Sequence, residues 1–225
     1  MRILALDSAT EALSVSLEVE AQRIDRYVEL ERGQSEQLLP MVDAVLAEAG
    51  VTLSSLDAIA FGRGPGAFTG VRLAASVAQG LAYGAGLGVV PVSDLAAVAQ
   101  RAMELAAGAD SVLVVNDARM REVYWGRFAT GAQIRLEGGE HVTSPDAVAL
   151  PDATASWIAA GRGLRAAPGL ADRCREGGAT LLADLLPRAS EVLALARPVI
   201  AAGGALDPAQ AVPVYVRDHV AEASF

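Results

Sequence analysis

One glycine-rich stretch, residues 62–73 (GRGPGAFTGVRL), constrains the fold more than any other part of the chain. Residues 57–61 before it, of which four are apolar, are typical of a buried strand. After it, apolar residues recur at helical spacing as far as Ala85. Three glycines around Pro65 favour a sharp turn in which the backbone passes close to a neighbouring segment or a ligand. The stretch therefore predicts a strand, a tight turn and a long helix in succession.

Two interpretations of the turn stay open at this point. Backbone N–H groups at a helix N-terminus can hold an anion, and Gly64 and Gly66 would supply them here. A turn that only shapes the backbone explains the same residues equally well. The stretch is not a P-loop, because no Gly-Lys-Ser/Thr follows the glycines, and its spacing is not that of a dinucleotide-binding motif.

The chain opens with three predicted strands in a row. They lie at residues 2–6, 13–17 and 24–30, and an acidic turn that begins with Asp7 and Ser8 joins the first two. This opening is similar to that of the lobes of actin-like and sugar-kinase proteins, whose fold is ribonuclease H-like. In those folds the first turn faces the nucleotide phosphates. We therefore expect an α/β protein of this class, with a cleft beside Asp7.

The remainder of the chain predicts two lobes. Ser35 is the expected N-cap of a helix that ends at Gly50, and Ser93 that of a helix over residues 94–105. After residues 106–110, a strand, an acidic turn at Asp117 and a second strand repeat the opening, which indicates an internal duplication. We expect an N-terminal lobe over residues 1–105, a smaller C-terminal lobe over 106–205, and a tail, 206–225, that packs back on the first lobe.

Composition limits the classes of function. The net charge is −9, and all 18 basic residues are arginine, so the chain has little positive potential for nucleic acid and no lysine for Schiff-base or P-loop chemistry. No apolar run is long enough to span a membrane, and Asp7 interrupts what would be a signal sequence. We expect a cytoplasmic protein without membrane contact, in which Cys174 is a thiol without a role.

The best catalytic candidates are carboxylates. Asp7 ends the first strand and Asp117 takes the matching place in the second lobe, so the two can face each other across a cleft. Together with Ser8, Gly64 and Gly66 they would outline a nucleotide site. The alternative is that each carboxylate accepts backbone N–H groups in its own turn. His141 and His219 lack neighbours at metal-ligand spacing, so we expect no metal site and no metalloprotease activity.

Four sequence blocks resemble the bacterial TsaB (YeaZ) family, in the same order and across almost the whole chain. They are ILALDSAT at residues 3–10, the glycine-rich stretch at 62–73, DARMREVY at 117–124 and PVYVR at 213–217. The resemblance implies a non-catalytic paralogue of TsaD, the enzyme that transfers a threonylcarbamoyl group to the adenine beside the tRNA anticodon, in tRNAs that read codons beginning with A.

The same resemblance implies the partners. The chain would dimerise with TsaD, or with a second copy of itself, and activate TsaD. The ATPase TsaE would join the assembly, ATP would be used by the complex, and tRNA would be bound only through it. The chain itself would carry no cofactor. A different class of function, an ATP-dependent phosphotransferase that uses Asp7 and Asp117, is the alternative.

Two departures from the related patterns stand out. TsaD has a metal-binding motif of the form VNHxExH after the helix of the glycine turn, and its two histidine positions correspond here to Asp94 and Val98. Valine cannot bind a metal, so this chain is not the metal-bearing partner. Many TsaB-like chains have His-Ser-Glu where this one has Gln34-Ser35-Glu36.

By resemblance, the helices over residues 35–49 and 67–85 would form the interface with TsaD. The apolar and small residues of these helices are the predicted contacts: Ser35, Leu38, Met41, Val45, Phe68, Val71, Ala74 and Ala78.

Overall fold

A computed structural model describes residues 1–152 and 155–217, and within them the chain forms two five-stranded sheets. The first sheet has the order β3-β2-β1-β4-β5. The first three strands are antiparallel, and β4 and β5 extend the sheet in parallel from β1. Its strands are β1 (Arg2–Asp7), β2 (Ala12–Val19), β3 (Gln22–Glu29), β4 (Ala58–Gly62) and β5 (Gly88–Val92).

The second sheet repeats this topology. Its order is β8-β7-β6-β9-β10, with β6, β7 and β8 antiparallel and with β9 and β10 parallel to β6. The strands are β6 (Ser111–Asp117), β7 (Val123–Ala129), β8 (Arg135–Thr143), β9 (Trp157–Ala160) and β10 (Thr180–Leu182). The duplication is therefore confirmed, and the chain has the actin-like, sugar-kinase (ribonuclease H-like) α/β fold.

Helices connect the strands unequally in the two copies. In the first, α1 (Gln34–Ala49) links β3 to β4, and α2 (Phe68–Ala85) links β4 to β5. In the second, the described residues between β8 and β9 hold only a 3₁₀ turn at Pro145–Ala147, and the short α4 (Gly163–Ala166) and α5 (Pro168–Glu176) link β9 to β10. The missing counterpart of α1 is what makes the second lobe smaller.

The helix that follows each sheet packs on the sheet of the other copy. α3 (Asp94–Leu105) covers β6, β7 and β9, whereas α6 (Ala189–Ala201) covers β1, β2, β4 and β5. Leu95 and Val98 join the core of the second lobe, and Val192 and Leu193 join that of the first. The sequence division placed α3 in residues 1–105 and α6 in 106–205. The structure differs because the apolar face of each helix is buried across the lobe boundary.

The start of α1 differs from the prediction. Gly33, in a left-handed conformation (φ 87°), occupies the N-cap position, and the exposed Ser35 hydroxyl donates to Glu36 instead of capping the helix. Gln34 has a structural role, because its Nε2 donates to the carbonyl of Thr10 (2.6 Å) and ties α1 to the β1–β2 turn. Gly50 ends the helix with φ 65°, as predicted.

The described part of the tail, residues 206–217, contacts the first lobe and then the second. Leu206 pairs with Val89 at the edge of β5, and the Val214 N–H donates to the Arg63 carbonyl (2.7 Å). Arg217 then bonds Glu122 and the Ala118 carbonyl of the second lobe. His219 lies outside the described residues. Among the described helices, none has the length and apolar character needed to cross a lipid bilayer.

Candidate functional site

A cleft of about 660 Å³ lies between the two lobes. The first lobe contributes the β1–β2 turn at residues 9–11 and the glycine turn at 65–68. The second contributes the end of β6, Tyr124 and the start of α4, and the tail closes one side at residues 214–217. Gly66 and Asp117 line this cleft, whereas Asp7, Ser8 and Gly64 do not. The structure therefore brings only part of the predicted nucleotide site together.

Asp7 lies beneath the cleft and is fully buried, which corrects its predicted place at the cleft mouth. It ends the central strand of the first sheet, and the N-terminus of α3 and the glycine turn cover it. Its Oδ1 accepts the Ala9 N–H (3.3 Å), and its Oδ2 accepts no N–H group among the described residues. A ligand in the cleft does not meet this carboxylate.

The Asp7 side chain faces a second buried carboxylate, Asp94. Asp94 Oδ2 accepts the Gly64 N–H, while a Cβ on Gly62 would collide with both Asp7 Oδ2 and Asp94 Oδ1. Burial raises the pKa of Asp7, and burial together with repulsion from Asp7 raises the pKa of Asp94 well above 3.8. Two ionised carboxylates are not stable side by side in a dry interior, so the pair retains a proton near neutral pH.

Replacing Asp94 with asparagine should stabilise the isolated chain above about pH 5. The native pair holds a proton that the unfolded chain releases above pH 3.8, so stability falls as pH rises from that value to the raised native pKa. An amide at Asp94 can still accept from Gly64 and can donate to Asp7. We expect a gain of about 1–3 kcal/mol at pH 7, or roughly 2–4 °C in Tm for each kcal/mol.

Thermal unfolding from pH 4 to pH 8 measures this effect, and Asp43→Asn, at an exposed position of α1, is the control. A variant whose stability declines with pH as steeply as that of the wild type would contradict a shared proton in the Asp7–Asp94 pair.

The glycine turn is held by protein contacts, which supports the structural interpretation. The Gly64 N–H is bound by Asp94, and the Ala67 N–H donates to the Ala9 carbonyl (2.7 Å). A Cβ at Gly66 would collide with the Ala9 backbone. Ser8 is buried, and its hydroxyl donates to the Gly70 carbonyl (2.8 Å). These glycines allow two turns to touch, and the N–H groups of Gly64 and Ala67 are already used within the protein.

Asp117 is exposed on the cleft, and the buried polar residue at the end of β6 is instead Asn116. Asp117 accepts the Arg119 N–H (2.8 Å) and pairs with the Arg119 guanidinium (3.0 Å). As Asp7 also accepts a backbone N–H in its own turn, both carboxylates behave as the structural alternative predicted. With Asp7 buried and Asp117 on the surface, the two acids do not form a pair across the cleft.

Four arginines line the cleft, and each is paired with a carboxylate. Arg162 binds Glu11 and Glu29, and Arg165 binds Asp184. The other two pairs are Arg119 with Asp117 and Arg217 with Glu122. The Arg162 hydrogen bonds lower the pKa of Glu29 to about 2. The cleft therefore has little uncompensated positive charge with which to bind phosphate.

The structure corrects most of the predicted interface residues. Leu38, Val45, Val71, Ala74 and Ala78 are buried inside the first lobe, so they are not available to a partner. Met41 is half-buried against the same core.

Ser35 and Phe68 are the predicted contacts that are exposed. Phe68 lies next to Tyr215 of the tail, with the Arg72 guanidinium 3.5 Å from the centre of its ring. The other predicted contacts were chosen by apolar periodicity, which identifies the faces of α1 and α2 that pack on the sheet.

The remaining reactive side chains are isolated. Cys174 is fully buried, and burial raises the pKa of its thiol to about 11. His141 is exposed and stacks on Trp125. Within residues 1–152 and 155–217, no three His, Cys, Asp or Glu side chains are grouped closely enough to hold a metal ion.

Known proteins resemble this chain in both sequence and structure. A family model described as TsaD, tRNA N6-adenosine threonylcarbamoyltransferase, matches residues 28–167. The tRNA threonylcarbamoyladenosine biosynthesis protein TsaB of Escherichia coli (strain K12) is 40% identical, over 98% of this chain and 96% of that protein. The solved structure of YeaZ from Pseudomonas aeruginosa is 46% identical and superimposes with a TM-score of 0.85, over 95% of this chain and 99% of that one. The chain therefore belongs to the TsaB (YeaZ) family.

Proposed function

We propose that this chain is a non-catalytic subunit in the formation of threonylcarbamoyladenosine on tRNA. It pairs with a TsaD-type transferase and activates it, while a TsaE-type ATPase uses ATP within the same assembly and tRNA contacts the complex. The names of its relatives, which refer to biosynthesis of this modified nucleoside, support the pathway.

The non-catalytic role is supported by the positions and contacts of the candidate catalytic carboxylates. Asp7, the residue that a phosphotransferase of this fold would use, is sealed under the glycine turn and shares its site with Asp94. Asp94 also occupies the first histidine position of the TsaD metal motif, and there it accepts the Gly64 N–H. Val98, at the second position, is buried in the core between α3 and the second sheet.

The outer face of α1 and α2 is the surface that we propose for pairing. The two helices lie side by side on one face of the first sheet. Leu39 and Tyr83 are exposed there, at 46% and 82% of their surface, and Gly80 and Gly84 leave open space along α2. Large exposed side chains beside a groove of small residues suit the close approach of helices from a partner.

Reconstituted transfer to tRNA tests the proposal. The mixture contains tRNA, ATP, threonine, bicarbonate, TsaC, TsaD and TsaE, and it is run with this chain, without it, and with this chain in place of TsaD. We expect modified nucleoside only when both this chain and TsaD are present. Full modification without the chain would overturn the partner role, and ATP turnover by the chain alone would favour a phosphotransferase.

A further inference from the structure

The tripeptide Gly-Arg-Gly occurs at the same place in both copies of the duplicated fold. Gly62-Arg63-Gly64 begins at the last residue of β4, and Gly161-Arg162-Gly163 begins directly after β9, its counterpart in the second sheet. Each arginine leaves the sheet at the end of its strand, and from there its long side chain reaches the other lobe.

Arg63 crosses from the first lobe to the second. Its Nη1 lies 3.0 Å from Glu140 Oε2, on β8, the third strand of the second copy. The exposed fractions of these two side chains are 22% and 7%, so water screens the pair only in part. Glu140 also accepts the hydroxyl of Ser93, the N-cap of α3. The contact therefore joins β8 to the point where the chain passes between the lobes.

Arg162 crosses in the opposite direction. Its two terminal nitrogens lie 2.8 and 3.2 Å from the Glu29 carboxylate, at the end of β3, the third strand of the first copy. Nη1 is also 2.8 Å from Glu11 in the β1–β2 turn. A bidentate guanidinium–carboxylate contact fixes orientation as well as distance. Tyr27 donates to the same carboxylate (2.7 Å), which holds it in place.

We propose that Arg63 and Arg162 form a reciprocal clamp that holds the two lobes at one fixed separation. Each arginine reaches the third strand of the opposite copy, so a rotation that opens or closes the cleft pulls against both contacts. Enzymes with two lobes around a cleft commonly close by such a hinge rotation. In this chain the clamp prevents that rotation, and the cleft keeps its width whether or not it is occupied. The clamp lies within this chain and is independent of pairing with TsaD.

If the clamp breaks, partly or largely buried charges lose their ionic partners. The arrangement of the two lobes in which both contacts are formed is therefore favoured. Glu140, at 7% exposure, would lose its ionic partner and keep only the Ser93 hydroxyl. A buried charge without its partner is strongly disfavoured. The two arginines act together because either one alone still restrains the same rotation.

Distances between two spin labels, measured by double electron–electron resonance, test the clamp. The exposed positions Ser54, beside α1, and Ala132, between β7 and β8, are replaced by cysteine, so that one label sits in each lobe. Cys174 needs no replacement, because it is buried and its pKa is raised to about 11. The labelled chain is compared with the same chain carrying Arg63→Met and Arg162→Met together.

We expect one narrow distance distribution for the unsubstituted chain and a broader one, shifted to longer distances, for the double variant. Arg165→Met is the matched control, because Arg165 lines the same cleft but pairs with Asp184 of its own lobe (2.6 Å). If the double variant fails to fold, Glu29→Gln with Glu140→Gln removes the carboxylate charges of the same two contacts and retains the side-chain shapes. Two populations in the unsubstituted chain, or an unchanged distribution in a folded variant, would overturn the clamp.

Discussion

Replacing Gly80 with arginine should strongly weaken pairing with TsaD and leave the fold of this chain intact. Gly80 is exposed on α2, and a Cβ at this position would have no neighbour within 4 Å. Arginine is also a better helix former than glycine, so the isolated helix tolerates it. In a complex, however, the guanidinium would project into the groove that Ser76, Gly80 and Gly84 form along the helix. A bulky charge would then be buried without a partner.

We expect the dissociation constant of the heterodimer to rise at least about a hundredfold, which corresponds to about 2.7 kcal/mol, a usual size for the loss of a central contact. Isothermal titration calorimetry or co-elution with TsaD measures the loss, and circular dichroism checks the fold. The reconstituted modification of tRNA should fall with it.

Gly169→Arg is the matched control for this prediction. Gly169 lies on α5 of the second lobe, and a Cβ there also has nothing within 4 Å. The exchange adds the same charge and side chain far from α1 and α2, so this variant should pair like the wild type. If Gly80→Arg binds TsaD with unchanged affinity, the outer face of α2 is not the pairing surface.

Charged substitutions at Leu38 or Val45 would not answer the same question. Both side chains are fully buried against the first sheet. A charge there would damage the core, and any loss of pairing would follow from loss of the fold.

Local signals in the sequence were sufficient to predict most helices and strands of the first copy. The bounds of α3, Asp94–Leu105, and its Ser93 cap agree with the prediction, because capping and apolar periodicity both act within a few residues. Gly50 and the glycine turn were recognised for the same reason. Ser35 was misassigned because Gly33, two residues earlier, takes up the conformation needed at the start of α1.

Contacts between segments that are distant in the sequence could not be predicted from such local signals. The Asp7–Asp94 pair joins residues 87 positions apart, and nothing near Asp7 in the sequence indicates that α3 will cover it. The repeated Gly-Arg-Gly was visible in the sequence. Its meaning depends on Glu140 and Glu29, which only the folded chain brings close.

The predicted interface failed for a related reason. Apolar spacing on α1 and α2 identifies the face that leaves water, and in a helix laid on a sheet that face is first the core of the chain itself. A second face for a partner is recognisable only once the first has been assigned. On α2 it consists of small and exposed residues such as Ser76, Gly80 and Tyr83, which lie along one side of the helix.

Gly70→Ala should be among the most destabilising single-methyl changes in the chain. Gly70 lies in the first turn of α2, and a Cβ there would overlap the Ser8 backbone carbonyl. The same two residues are joined in the other direction by the hydrogen bond from the Ser8 hydroxyl to the Gly70 carbonyl (2.8 Å). Ser8 is buried and directly follows β1. The backbone at Ser8 or Gly70 therefore cannot move away without disturbing Asp7 and the glycine turn. We expect a loss of about 3 kcal/mol or more, and roughly 10 °C in Tm.

Gly80→Ala on the same helix isolates the cause of that loss. It makes the same chemical change where a Cβ meets nothing within 4 Å, so helix propensity alone should raise stability by about 0.5–1 kcal/mol. Denaturant unfolding of both variants measures the difference, and its sign is the decisive quantity. Opposite signs would show that Gly70 is required by the contact between two turns, whereas a mild effect at Gly70 would mean that α2 can move away from β1. In that case the glycine turn can open above Asp7, and this buried carboxylate becomes available to a ligand.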